Sequence, residues 1–129
     1  MFRDTNAKVL VVDDEQGITE IVDAFLTTAG YEVAVENSAD GGIKKAKEWI
    51  PDIILLDIMM PGMDGYEICT LMKKDQKLTD VPVVFLTGKD ATDDQGRSFR
   101  AGGNLFVKKP FSCERLLDIV KIVLMSVNK

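Results

Sequence analysis

The sequence predicts one doubly wound α/β domain, a mostly parallel five-stranded sheet with helices on both faces. Three observations predict it. Short apolar runs alternate with amphipathic segments five times along the 129 residues. The runs KVLVVD, DIILLD and VPVVFLT are too continuously apolar for strands with one wet face, and so read as central parallel strands. No repeat, low-complexity tract or linker divides the chain, whose length is that of one domain.

Each element has its own signal. Residues 8–13 form the first strand. A helix follows, with Ile18, Ile21, Val22, Phe25, Leu26 and Ala29 on its apolar side and Gly30 as its stop. YEVAVEN alternates like a strand nearer the edge. Ser38 suits the N-cap of a second helix ending before Pro51, although Gly41 and Gly42 weaken its helical character. DIILLD is the next strand, and Asp64 with Glu67 resembles a capping box that opens a helix through Ile68, Leu71 and Met72 to about Lys74. Residues 81–87 form the fourth strand, with Pro82 near its start, where a missing N–H matters least. A helix of low apolar content over roughly 91–101 leads to the strand NLFVK. The last helix runs from a Ser112 cap to about Val127.

Composition narrows the chemistry. Hydrophobic residues make up 46% and charged residues 29%, an ordinary globular balance, and the net charge of −5 argues against a nucleic-acid or anionic-membrane surface. Cys69 and Cys113 lack CxxC spacing, and there is neither a signal-peptide pattern nor an apolar run near 18 residues. The expected compartment is the cytoplasm, with free thiols. The chain has no histidine, which removes Ser-His-Asp and Cys-His catalysis, histidine-bearing zinc sites and phosphohistidine.

In an open parallel sheet, ligands bind beyond the carboxyl ends of the strands, where strand order reverses. The strands here end in Asp13-Asp14, Asp57, Thr87 and Lys108-Lys109-Pro110. An Asp-Asp pair alone is usually a solvated turn, and a Lys-Pro after a strand is usually a loop. Together on four strand ends they predict three acids, a hydroxyl and a lysine on one edge. Converging carboxylates repel unless a cation joins them, and an all-oxygen set suits Mg²⁺. Asp57 then reads as a nucleophile for a phosphoryl group, its charge neutralised by the metal and lysine, with Thr87 donating to a phosphoryl oxygen. The Pro-Gly break after Asp57 is expected to leave that side chain exposed at the shelf.

VLVVDDE, PDIILLDIMMPGMDG, VPVVFLTG and AGGNLFVKKPF, in that order, resemble the receiver domain of two-component response regulators over about residues 7–127. The resemblance implies one receiver domain over 1–129, a flavodoxin-like (βα)5 three-layer sandwich of strand order 2-1-3-4-5. It makes Asp57 the phosphoacceptor and puts Asp13 and Asp14 in a Mg²⁺ pocket with Asp57 and the Met59 backbone carbonyl. Thr87 becomes the switch hydroxyl and Phe106 the switch aromatic. Lys109, directly before Pro110, becomes the phosphate-contacting lysine. Phe106 lacks the hydroxyl of the family's frequent tyrosine, and Gly103-Asn104-Leu105 lacks the acids often found there. Met59 and Lys89 occupy positions that the resemblance implies tune how fast the acyl phosphate is lost.

With no histidine in the chain, the phosphoryl donor is external: a histidine kinase, a histidine phosphotransfer protein, or a small donor such as acetyl phosphate. The expected output is a signalling switch rather than an enzyme. Phosphorylation would alter the face made by the fourth helix, fifth strand and fifth helix, and so control a downstream protein, with no direct contact to nucleic acid or membrane. On the last helix Leu116, Val120, Val123, Leu124 and Val127 share the core side, while Ile122 and Met125 fall among charged residues. A partner or homodimer contact is one reading of that pair, scattered surface apolars the other. No output module fits between the last helix and Lys129, so the chain is expected to be a stand-alone receiver or one cut from something longer. Three rival readings fit these residues less well. A haloacid-dehalogenase-like phosphatase needs an acid where Met59 stands. A flavin binder needs hydroxyls and amides where DDEQG stands. A degenerate receiver would lack site residues that are present here.

Overall fold

The computed structural model describes residues 6–88 and 105–127. The helix expected at 91–101, Lys89, Gly103 and Asn104 lie outside them. The strands are β1 (Lys8–Val12), β2 (Glu32–Glu36), β3 (Ile53–Asp57), β4 (Val83–Thr87) and β5 (Leu105–Lys108). Between them run α1 (Gln16–Thr28), α2 (Ala39–Trp49) and α3 (Gly65–Lys73), and the chain closes with a C-terminal helix, Cys113–Val127. The sheet is parallel throughout, in the order β2-β1-β3-β4-β5, as expected. Order reverses between β1 and β3, which fixes where a site can form.

Alternation along the central strands sorts side chains into two cores. Val9, Val11, Ile53, Leu55, Val84 and Leu86 point to one face and pack with α1 and the C-terminal helix. Leu10, Val12, Ile54, Leu56, Val83 and Phe85 point to the other and pack with α2 and α3. Every residue of β3 and β4 is buried. At roughly 1.5–3 kcal/mol per buried aliphatic side chain, these two strands together with β1, whose Val9 to Val12 are fully buried, anchor the sheet.

Packing explains Gly42, one of the two glycines that weaken α2 as a helix; at Gly41 the neighbour is the movable tip of Glu36. A Cβ on Gly42 would sit 2.8 Å from Val12 Cγ1, and one on Gly41 would sit 2.5 Å from Glu36 Oε1. Close approach of α2 to the sheet overrides intrinsic propensity here. Ser38 caps the helix through Gly41 N–H at 3.0 Å, as expected.

Two expectations about faces are corrected. Ile21 is 61% exposed rather than on the core side of α1. The buried stripe runs Thr19, Val22, Leu26, and Ile21 lies about 100° round the helix from Val22. Val127, expected in the core, is 45% exposed, because the last helical residue has run past the packed stripe of Leu116, Val120, Val123 and Leu124. Ile122 and Met125 are exposed, as expected. A short antiparallel ladder, Met59–Met60 with Met63–Asp64, was not anticipated; Pro61 and Gly62 turn it, with Gly62 at φ +90°.

Candidate functional site

The carboxyl edge is assembled by strand ends that hand hydrogen bonds to one another. Asp13 N–H donates to Glu36 O (3.1 Å), Ile58 N–H to Leu86 O (3.1 Å), and Lys109 N–H to Thr87 O (2.6 Å). Asp13, directly after β1, is wholly buried, and its Oδ1 accepts from Glu15 N–H at 3.0 Å. Asn37 braces it from β2: its Nδ2 donates to Asp13 O at 2.8 Å and to Thr19 Oγ1 at 3.1 Å. Sequence reasoning missed Asn37, for which the only signal was a polar amide directly after an edge strand.

Asp57 ends β3, and its Oδ1 accepts from Met59 N–H at 3.2 Å. It is 4% exposed, not open at a shelf as expected. The Pro-Gly turn does not carry the chain clear, because the ladder folds it back and α3 begins against β3. The Asp64–Glu67 capping box is present in both directions, and a Cβ on Gly65 would stand 2.6 Å from Asp57 O and 2.7 Å from Ile58 Cα. Backbone cannot yield as a side chain can. Gly65→Ala is therefore expected to lose about 1–3 kcal/mol of stability through overpacking, read as a lower urea midpoint. An unchanged midpoint would mean that α3 can shift freely away from Asp57.

Alternation decides between the two lysines. Val107 points into the core and Lys108 into solvent, while Lys109, just past the strand, turns back over the edge. Its Nζ lies 2.8 Å from Asp13 Oδ2, 2.9 Å from Glu15 Oε1 and 3.6 Å from Asp57 Oδ2. Thr87 is fully buried at the end of β4, paired in register with Lys108. Phe106 is half-buried, its ring 5.9 Å from that of Phe85, which in turn lies 4.9 Å from that of Tyr66. Glu15 was also missed. A glutamate at the N-cap of α1, where Ser, Thr, Asp or Asn is favoured, was the available signal.

The electrostatics follow from this crowding. Burial pushes the Asp57 carboxyl up from 3.8 to about 7; the Asp13 charge adds to the rise, while Lys109 and the Met59 N–H oppose it. For Lys109, burial opposes the charge, but contacts with Asp13 and Glu15 and the charge of Asp57 outweigh it and hold the amine above its ordinary value. Both partners of the 3.6 Å contact thus shift upward. The lysine proton is held mainly by Asp13 and Glu15, which leaves Asp57 poorly compensated.

Ligand oxygens of Asp13, Asp14 and Asp57 lie within 4.8 Å of one another, with Asp14 exposed to solvent. Asp13 Oδ2 is buried and faces the Lys109 ammonium at 2.8 Å. Three carboxylates gathered this closely, one of them open to solvent, fit a hard, oxygen-seeking cation.

Fold and site together define a doubly wound domain with an acid-and-lysine cluster at its topological switch point. The chain belongs to the family described as the response regulator receiver domain, whose model matches residues 9–121. A probable transcriptional regulator, ycf27 of Guillardia theta, is 36% identical over 126 residues, which cover 98% of this chain and 48% of that protein. The chain spans about half the length of such curated relatives. Among solved structures, the chemotaxis protein CheY4 of Vibrio cholerae superposes with a TM-score of 0.88 at 31% identity, covering 91% of this chain and 98% of that one. A BeF3-activated DrrB receiver domain gives 0.81 at 31% identity, over 92% and 97%. No described helix is long and apolar enough to cross a membrane.

Proposed function

We propose that this chain is a phosphorylation-dependent switch that accepts a phosphoryl group on Asp57 from an external phosphohistidine and passes the signal to a protein partner. One observation carries the reading: Asp13, Asp14 and Asp57 gather on one sheet edge with Lys109 reaching over them. BeF3 activation of the similar DrrB receiver domain is in keeping with a phosphoryl-sized group at such an edge.

In the transfer, an Asp57 carboxylate oxygen attacks phosphorus and the P–N bond of the phosphohistidine breaks. The electron pair leaves with the imidazole of a histidine kinase or histidine phosphotransfer protein. Asp13, Asp14, Asp57 and the Met59 carbonyl would hold Mg²⁺, which supplies positive charge against the phosphoryl oxygens. Lys109 supplies a second positive charge, and the Thr87 hydroxyl a hydrogen bond. Drawing Thr87 toward the phosphoryl group frees room beside Phe85 for the half-buried Phe106 to turn inward, a population shift biased by new contacts. The output surface is the face of β5 and the C-terminal helix, with Ile122 and Met125 exposed on it for a protein target or a second copy. The chain works as a regulatory phosphoacceptor rather than as a turnover enzyme, and in the cytoplasm.

Intact mass after incubation with acetyl phosphate and Mg²⁺ tests the reading. A single phosphoryl adduct is expected, absent in EDTA and in Asp57→Asn. Equal labelling of the variant would move the acceptor elsewhere, and no adduct on folded wild-type protein would leave only a constitutive binding module.

A further inference from the structure

We propose that Glu15 is a positioning residue that holds Lys109 toward α1 and away from Asp57, so that an incoming phosphoryl group must displace it. The proposal rests on the phosphoacceptor reading of Asp57. Glu15 occupies the N-cap of α1, yet its side chain makes no capping hydrogen bond. Its carboxylate instead reaches Lys109 Nζ at 2.9 Å, across 94 positions of sequence. The amine consequently stands closer to Asp13 and Glu15 than to Asp57, at 2.8 and 2.9 Å against 3.6 Å.

The two carboxylates that hold the lysine differ in kind. Asp13 is buried and fixed from β2 through its backbone carbonyl, whereas the Glu15 side chain is 58% exposed. An ion pair with one partner in water is weak and salt-sensitive, so Glu15 can release the lysine where Asp13 cannot. A lysine ammonium has three donors. A phosphoryl group on Asp57 carries more negative charge than a carboxylate and takes the donor that Glu15 gives up. Glu15 thereby sets how readily the site takes a phosphoryl group, without touching the reacting atoms.

The test follows the rate of Asp57 labelling by acetyl phosphate with Mg²⁺, by intact mass. In this step the Asp57 oxygen bonds to phosphorus and acetate leaves with the electron pair of the broken P–O bond. Glu15→Gln keeps the shape and removes the charge. It is expected to speed labelling roughly two- to fivefold at low ionic strength, the weight of one exposed ion pair, with the gain fading as salt is added. In a Lys109→Ala background the same substitution is expected to give little or no gain. A wild-type protein that labels while Glu15→Gln labels equally or more slowly overturns the proposal and leaves the acceptor reading standing. A gain that survives loss of Lys109 also overturns it, because Glu15 would then act as bulk charge. A folded wild-type protein that never labels overturns both.

Discussion

Asp57→Asn is expected to stabilise the protein in EDTA at pH 8 and to leave it unchanged near pH 3. The folded state holds the Asp57 carboxyl at about 7 against an ordinary value of 3.8. Below both values folded and unfolded chains carry the same proton, so Asp57 contributes no penalty. As pH rises through that interval the unfolded chain ionises first, and stability falls by about 1.4 kcal/mol per pH unit. Above about pH 7 the penalty is complete, with a ceiling of about 4 kcal/mol for a shift of this size. Asparagine cannot ionise, so it removes the penalty while keeping the side-chain volume. A gain of about 2 kcal/mol or more at pH 8 is the expected result in urea unfolding, shrinking to nothing as pH falls below the ordinary value of 3.8. Equal stability of the two proteins at pH 8 would show that Lys109 already compensates Asp57. Millimolar Mg²⁺ is expected to stabilise the wild type at pH 8 and to narrow the difference, since a bound cation supplies the missing charge.

Lys109→Ala should move stability the other way. The lysine is the only described cation within 4 Å of Asp13 and Asp57, whose side chains are nearly or fully buried. Removing one partner of a buried pair leaves the other charge uncompensated, at a cost of about 3–5 kcal/mol. Protonation of Asp57 limits the loss, so about 3 kcal/mol at pH 8 is expected. The raised value of Lys109 means that its contribution is present below its ordinary 10.5 and is lost only as pH climbs through the higher folded value. The contribution also requires ionised carboxylates, so the variant and wild type should converge toward pH 4. Mg²⁺ should still bind Lys109→Ala and restore part of the stability, while the response to a phosphoryl group is lost. Wild-type stability in EDTA at pH 8 would reduce Lys109 to a surface lysine, contrary to its 14% side-chain exposure.

Together the two substitutions would show opposite signs at one site. On that result Asp57 would be a destabilising residue kept at a strand end, and Lys109 the partial remedy. A protein selected for stability alone would carry neither.

The sheet was legible because its signals are local. Continuous apolar runs, a serine N-cap and an Asp-x-x-Glu capping box each act within a few residues, and each formed where the sequence placed it. The alternation of strand and helix implied parallel pairing, and parallel pairing sends every strand's carboxyl end to one edge. That is why Asp13, Asp57, Thr87 and Lys109 could be gathered from sequence alone, and the receiver resemblance named their order. Ile21, Val127 and the burial of Asp57 were misread, because facing direction depends on how an element is set against its neighbours. Gly42 runs against helix propensity because Val12 fills the space where its side chain would stand.

The sequence by itself determined the fold class, the strand order implied by the resemblance, and which four strand ends carry acid, hydroxyl and amine. Tertiary structure alone decided how the charges are shared: Lys109 sits with Asp13 and Glu15 rather than squarely on Asp57, and Asp57 is enclosed by the start of α3. The physical reason is range. Hydrogen bonding and periodicity act between near neighbours in the chain, whereas ion pairing at about 3–4 Å depends on side chains 52 to 96 positions apart meeting in a medium that no local rule specifies.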